Sequence, residues 1–120
     1  MAACVAVVED EPSVLELVRD VLAMEGHEPL GFNHPYQLQA LTLHPDLFLV
    51  DIMLPDQTGI EVAQRLRDHG YADTPMLAMS ASSSMLTAAR RSGLFQDYLP
   101  KPFDVGQLLT AVDRQLAPPH

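Results

Sequence analysis

Val5-Ala6-Val7-Val8-Glu9-Asp10-Glu11-Pro12-Ser13-Val14-Leu15 changes character twice in a short space. Its first four residues are apolar without a break. That pattern predicts a strand buried on both faces, as in a parallel sheet. Three acids follow. Pro12-Ser13 then opens a helix, with Val14, Leu15, Leu17, Val18, Val21 and Leu22 at helical spacing and Gly26 as its stop.

The alternation continues along the chain. Leu47-Phe48-Leu49-Val50 is a second unbroken run, and Pro29 through Phe32, Met76 through Met79 and Asp97 through Leu99 are shorter strand candidates. Helical patterns run from about Pro35 to Leu43, from Thr58 to the stop at Gly70, and within Ser84 to Ser92. A last one begins at Asp104, where Gln107 completes a capping box and Val105, Leu108, Leu109, Val112 and Leu116 are apolar. Five strands alternating with five helices predict an α/β fold. It is a doubly wound, five-stranded parallel sheet of order 2-1-3-4-5, flavodoxin-like, with helices on both faces. Residues 1–117 read as one domain, and Ala117-Pro118-Pro119-His120 ends in a three-residue tail or linker stub.

Composition narrows the function classes. The 120 residues are 48% hydrophobic and 19% charged, which fits a chain with one real core rather than a disordered one. Sixteen acids against seven bases give a net charge of −9, so a phosphate backbone repels this domain and direct nucleic-acid binding is not expected. The chain has neither a membrane-length apolar run nor a signal-peptide start, and a cytoplasmic location is expected. Cys4 is the single cysteine and reads as a small buried hydrophobe, which leaves no disulfide or cysteine-rich zinc site. Met24, Met53, Met76, Met79 and Met85 read mostly as core fillers. His27, His34, His44 and His69 fall near turns or helix ends, and Asp56 reads as a turn residue.

In the expected strand order, ligands bind beyond the carboxyl ends of the strands, beside the first and third. The first strand runs into Glu9-Asp10-Glu11, the third into Asp51, the fourth into Ser80 and the fifth into Lys101, the one lysine of the chain. Three carboxylates at one edge repel each other, and a hard divalent cation with oxygen ligands, Mg²⁺ above all, relieves that. A carboxylate, a cation, a lysine and a hydroxyl together suit phosphoryl transfer, and a carboxylate can itself accept the group as an acyl phosphate.

Four segments in order carry a resemblance. They are Val7-Val8-Glu9-Asp10-Glu11-Pro12, Leu49 through Gly59, Met79-Ser80-Ala81, and Asp97-Tyr98-Leu99-Pro100-Lys101-Pro102-Phe103. From Ala3 to about Leu116 the chain resembles the receiver domain of two-component response regulators, the CheY-like domains. The resemblance implies Asp51 as phosphoacceptor. It implies that Asp10 and Asp51 bind Mg²⁺ (or Mn²⁺), Glu9 through a water and Met53 through its backbone carbonyl. Ser80 and Lys101 would bind phosphoryl oxygens, Tyr98 would be an aromatic switch, and Lys101-Pro102 a cis peptide.

The implied function is a phosphorylation-controlled switch, not an enzyme acting on an external metabolite. A sensor histidine kinase or histidine phosphotransfer protein would donate. The fourth-helix and fifth-strand face would then control a downstream protein, a fused output domain or a homodimer.

The sequence departs from the family in places. Ser80 stands for the commoner threonine and Glu9 for the commoner aspartate. The segment from Ser80 to Gly93 is shorter than usual and Gly93 through Asp97 longer, so a short or displaced fourth helix is expected. Two alternatives come from other classes. A haloacid-dehalogenase-like phosphatase needs a second aspartate two residues after its nucleophile, where this chain has Met53. A phosphorylation-independent docking module would not need the acidic constellation.

Overall fold

The computed structural model describes residues 2–42 and 44–116. The strands are β1 (Cys4–Val8), β2 (Glu28–Phe32), β3 (Leu47–Asp51), β4 (Met76–Ser80) and β5 (Asp97–Pro100). The helices are α1 (Pro12–Met24), a 3₁₀ helix (Pro35–Ala40), α2 (Gly59–Asp68), α3 (Ser83–Ser92) and α4 (Val105–Leu116). All strand pairs are parallel and the order is β2-β1-β3-β4-β5. The doubly wound five-stranded sheet is therefore present as expected, with one of its five helical elements a 3₁₀ helix. The proposed tail at 118–120 and its junction at Ala117 lie outside the described residues.

The unbroken apolar runs have a simple cause. Alternate residues of each strand enter different cores. Val5, Val7, Leu47, Leu49, Leu77 and Met79 pack under α1 and α4, against Val18, Leu22, Leu108 and Val112. Ala6, Val8, Phe48, Val50, Met76 and Ala78 face α2 and α3, against Val62, Ala63, Leu66, Leu86 and Ala89. Both faces are covered, so every position of β1 after Cys4, and of β3 and β4, is buried. Each fully buried Val or Leu contributes about 1.5–3 kcal/mol over its exposed state.

Helix ends follow local chemistry. Thr58 Oγ1 accepts the Glu61 N–H at 3.2 Å to start α2, and Ser82 Oγ accepts the Met85 N–H at 3.2 Å to start α3. At α4 the expected capping box forms. Asp104 Oδ1 accepts the Gln107 N–H at 2.7 Å, and Gln107 Oε1 accepts the Asp104 N–H at 2.9 Å. The helix after β4 is not short: α3 has ten residues, as α2 does, and Ala81-Ser82 is the whole connection before it. Among the side chains expected inside, Met24 is 85% exposed at the last residue of α1, and Met53 is 55% exposed in the connection after β3. Cys4, at the edge of the buried run, is only half-buried.

Candidate functional site

Register sets the site. Val8 lies opposite Val50, so the next residues, Glu9 and Asp51, are level at the carboxyl edge of the sheet. Ser80 lies opposite Pro100, and the Lys101 N–H donates to the Ser80 carbonyl at 2.9 Å, which places Lys101 just past the same edge. The Lys101–Pro102 peptide is cis.

The side chains converge. Lys101 Nζ donates to Glu9 Oε2 at 2.6 Å and to Asp51 Oδ2 at 3.2 Å. Glu9 is fully buried and Asp51 nearly so. Carboxylate oxygens of Glu9, Asp10 and Asp51 lie within 4.8 Å of one another. Asp51 is held from its other oxygen too, since Oδ1 accepts the Met53 N–H at 3.0 Å. Glu9 Oε1 accepts the Glu11 N–H at 3.2 Å.

These charges disturb one another. Burial raises the Glu9 carboxyl from its ordinary 4.5 to about 7; Asp51 adds to the rise and Lys101 opposes it. For Lys101 burial acts downward, yet pairing with Glu9 and Asp51 outweighs it and the ammonium is held above its ordinary range. One ammonium thus pairs with two carboxylates, and a third, that of Asp10, lies beside them. An oxygen-only donor set with excess negative charge and two buried members fits a hard divalent cation such as Mg²⁺.

Ser80 is fully buried, and its Oγ accepts the Ser82 N–H at 3.0 Å. It is therefore tied to the residue that caps α3 rather than to Asp51. Met53 follows Asp51 in the β3–α2 loop, and its backbone pairs with Thr58. Tyr98 stands apart on β5. Its hydroxyl donates to the Phe95 carbonyl at 3.3 Å, and the Arg90 guanidinium lies 4.4 Å from its ring centroid.

Two features were not foreseen from the sequence. A Cβ on Gly59 would lie 2.4 Å from the Asp51 carbonyl oxygen and 2.8 Å from Ile52 Cα, so the start of α2 is pressed against the backbone of Asp51. The Thr58-Gly59 pair was visible as a helix start, but not this contact. The second is a hydrogen bond between His34 Nε2 and Asp56 Oδ2 at 2.7 Å, across residues with no sequence signal to join them.

A family model of the response regulator receiver domain matches residues 5–113. The chain belongs to that family. Among curated relatives, the receiver is 37% identical over 113 residues to the DNA-binding dual master transcriptional regulator RpaA of Synechocystis, covering 90% of this chain and 46% of that protein. It spans between about a quarter and about half the length of the curated relatives it matches.

Among solved structures, TrrA of Thermotoga maritima, in complex with Mg²⁺–BeF, superposes with a TM-score of 0.84 at 27% identity, covering 95% of this chain and 99% of that one. The chemotaxis response regulator CheY4 of Vibrio cholerae does so at 0.87 and 25% identity, covering 97% and 100%. No helix among the described residues is long and apolar enough to cross a membrane.

Proposed function

We propose that Asp51 accepts a phosphoryl group from a phosphohistidine of a sensor kinase or phosphotransfer protein, and that the receiver spanning residues 1–117 switches in response. The observation that carries this reading is Asp51 itself. It is nearly buried, oriented by the Met53 N–H, and shares one lysine with Glu9 at the carboxyl edge of the sheet.

Asp10 and Asp51 are the carboxylates that would hold Mg²⁺ or Mn²⁺ directly, with Glu9 acting through a water and Met53 through its carbonyl. When bound, the cation offsets the carboxylate charge and that of the incoming phosphoryl oxygens.

In the transfer, an Asp51 oxygen attacks phosphorus in line. The N–P bond of the donor breaks, and the imidazole leaves with the electron pair and takes up a proton. Lys101 already touches Asp51 and is held charged, so it can pair with a phosphoryl oxygen without a large movement. Ser80 Oγ accepts the Ser82 N–H, and its own O–H remains to donate to a phosphoryl oxygen. A turn of that hydroxyl toward the phosphoryl group acts through the Ser82 N–H on the N-terminus of α3, which gives the charge on Asp51 a route to the α3–β5 face. Tyr98 is the proposed aromatic switch there, released from the Phe95 carbonyl and from Arg90.

The receiver turns over no external metabolite, so it acts as a signalling module rather than an enzyme. Its output is a downstream protein, a fused domain or a second copy, and its place is the cytoplasm. Intact mass after incubation with a small acyl phosphate tests the reading. One phosphoryl group is expected with Mg²⁺, none with chelator, and none in Asp51→Asn. Uptake that persists in Asp51→Asn would overturn the assignment.

A further inference from the structure

We infer that His34 is a positioning residue for the loop that follows Asp51, acting through Asp56. The inference rests on the roles of Asp51 and Met53 proposed above.

Residues 52–58 connect β3 to α2 and contain Met53. Most of their anchors return to the loop's own stem or to the helix it feeds. The Met53 N–H donates to Asp51 at 3.0 Å, Met53 pairs with Thr58, and the Gly59 N–H donates to the Ile52 carbonyl at 2.8 Å. Gln57 Oε1 accepts from Arg65 of α2 at 2.8 Å. Among the described residues, the bond from His34 to Asp56 is the one hydrogen bond joining this loop to the connection after β2. β1 lies between β2 and β3. The tie therefore spans the end of β1, where Glu9 and Asp10 enter the site.

The anchor is itself fixed. His34 Nδ1 accepts the Tyr36 N–H at 3.2 Å, and the Tyr36 ring lies 4.6 Å from the imidazole, tilted at 49°. Gln37 Oε1 accepts the Asn33 and His34 N–H groups at 2.9 and 3.3 Å. With Nδ1 accepting, a neutral ring carries its proton on Nε2 and donates it to Asp56. Asp56 is 72% exposed, so the pair adds little to overall stability. What it supplies is placement. It fixes the tip of a loop whose backbone borders Asp51, much as outer partners fix the ligands of a metal.

The test measures Mg²⁺ affinity by isothermal titration and amide exchange of residues 52–58, in the wild-type chain and in His34→Ala, Asp56→Ala and Asp56→Asn. Loss of the tie in either alanine variant is expected to weaken Mg²⁺ binding about three- to tenfold, at or below the usual effect of an outer partner, and to speed exchange in the loop. The melting temperature should scarcely move. Asp56→Asn, which still accepts from Nε2–H, should stay near wild type. Unchanged affinity and exchange in both alanine variants would overturn the inference. So would an Asp56→Asn variant as weak as Asp56→Ala, because charge rather than the tie would then be at work. A wild-type chain that binds no Mg²⁺ would overturn the proposed receiver chemistry and this inference together. Wild-type binding with indifferent variants would sink this inference alone.

Discussion

A carboxylate as buried as Glu9 does not stay charged without help. Its pKa of about 7 lies above the ordinary 4.5, so the folded chain binds a proton more tightly there than the unfolded chain does. The stability this group contributes is full below its ordinary pKa and is lost as pH rises through about 7. A cation at the carboxylates reverses the loss. The gain in melting temperature from saturating Mg²⁺ should therefore be larger at about pH 8 than at about pH 5.5, by calorimetry at both. Without Mg²⁺, Asp51→Asn should raise the melting temperature at the higher pH, because it removes a charge that opposes Glu9. Lys101→Met should act the other way and cost about 3 kcal/mol in a urea titration, because a buried charge loses its partner. These residues were legible because each ends a strand, and a parallel sheet brings strand ends together. His34 and Asp56 were not, because 22 residues separate them and an imidazole is not a usual helix cap.

Elements were legible where periodicity and caps agreed. Asp104 and Gln107 marked the start of α4 and form the bonds their spacing implied. The stretch after Pro35 was harder. Its short helix closes with three-residue bonds, from the Gln37 N–H to the His34 carbonyl and from the Leu41 N–H to the Leu38 carbonyl. Gln37 is spent on capping, and the helix ends at Ala40 rather than Leu43. Apolar spacing alone does not separate such a turn from one longer α-helix. The junction of β3 with α2 gives the sharpest prediction at this scale. Gly59→Ala would drive a methyl group into the Asp51 carbonyl and Ile52 Cα. Backbone cannot give as a side chain can, so the variant should lose about 3 kcal/mol in urea and accept phosphoryl groups more slowly than wild type.

Across the whole molecule, one cation joins connections that the sequence keeps apart. Arg67 donates to the carbonyls of Tyr71, Ala72 and Thr74, at 2.8, 3.1 and 2.6 Å, and to Leu94 O and Gln96 Oε1, at 2.8 and 2.9 Å. Gln96 Oε1 in turn accepts the Met76 N–H at the start of β4. The guanidinium thus holds the end of the α2–β4 connection against the α3–β5 connection, the stretch whose extra length looked unusual. Arg67→Lys keeps the charge but not the fork and should lose about 2 kcal/mol, read by chemical denaturation. No pattern in the sequence announced it, since carbonyl acceptors leave no trace in residue type. The bond between Glu9 and Lys101 closes over 92 residues. During synthesis at roughly 5–20 residues per second, a chain whose Lys101 is still inside the ribosome has no completed pocket to offer a donor kinase. The proposed signal is thus open only to a molecule whose synthesis has passed Lys101, and copies stopped before that residue stay silent.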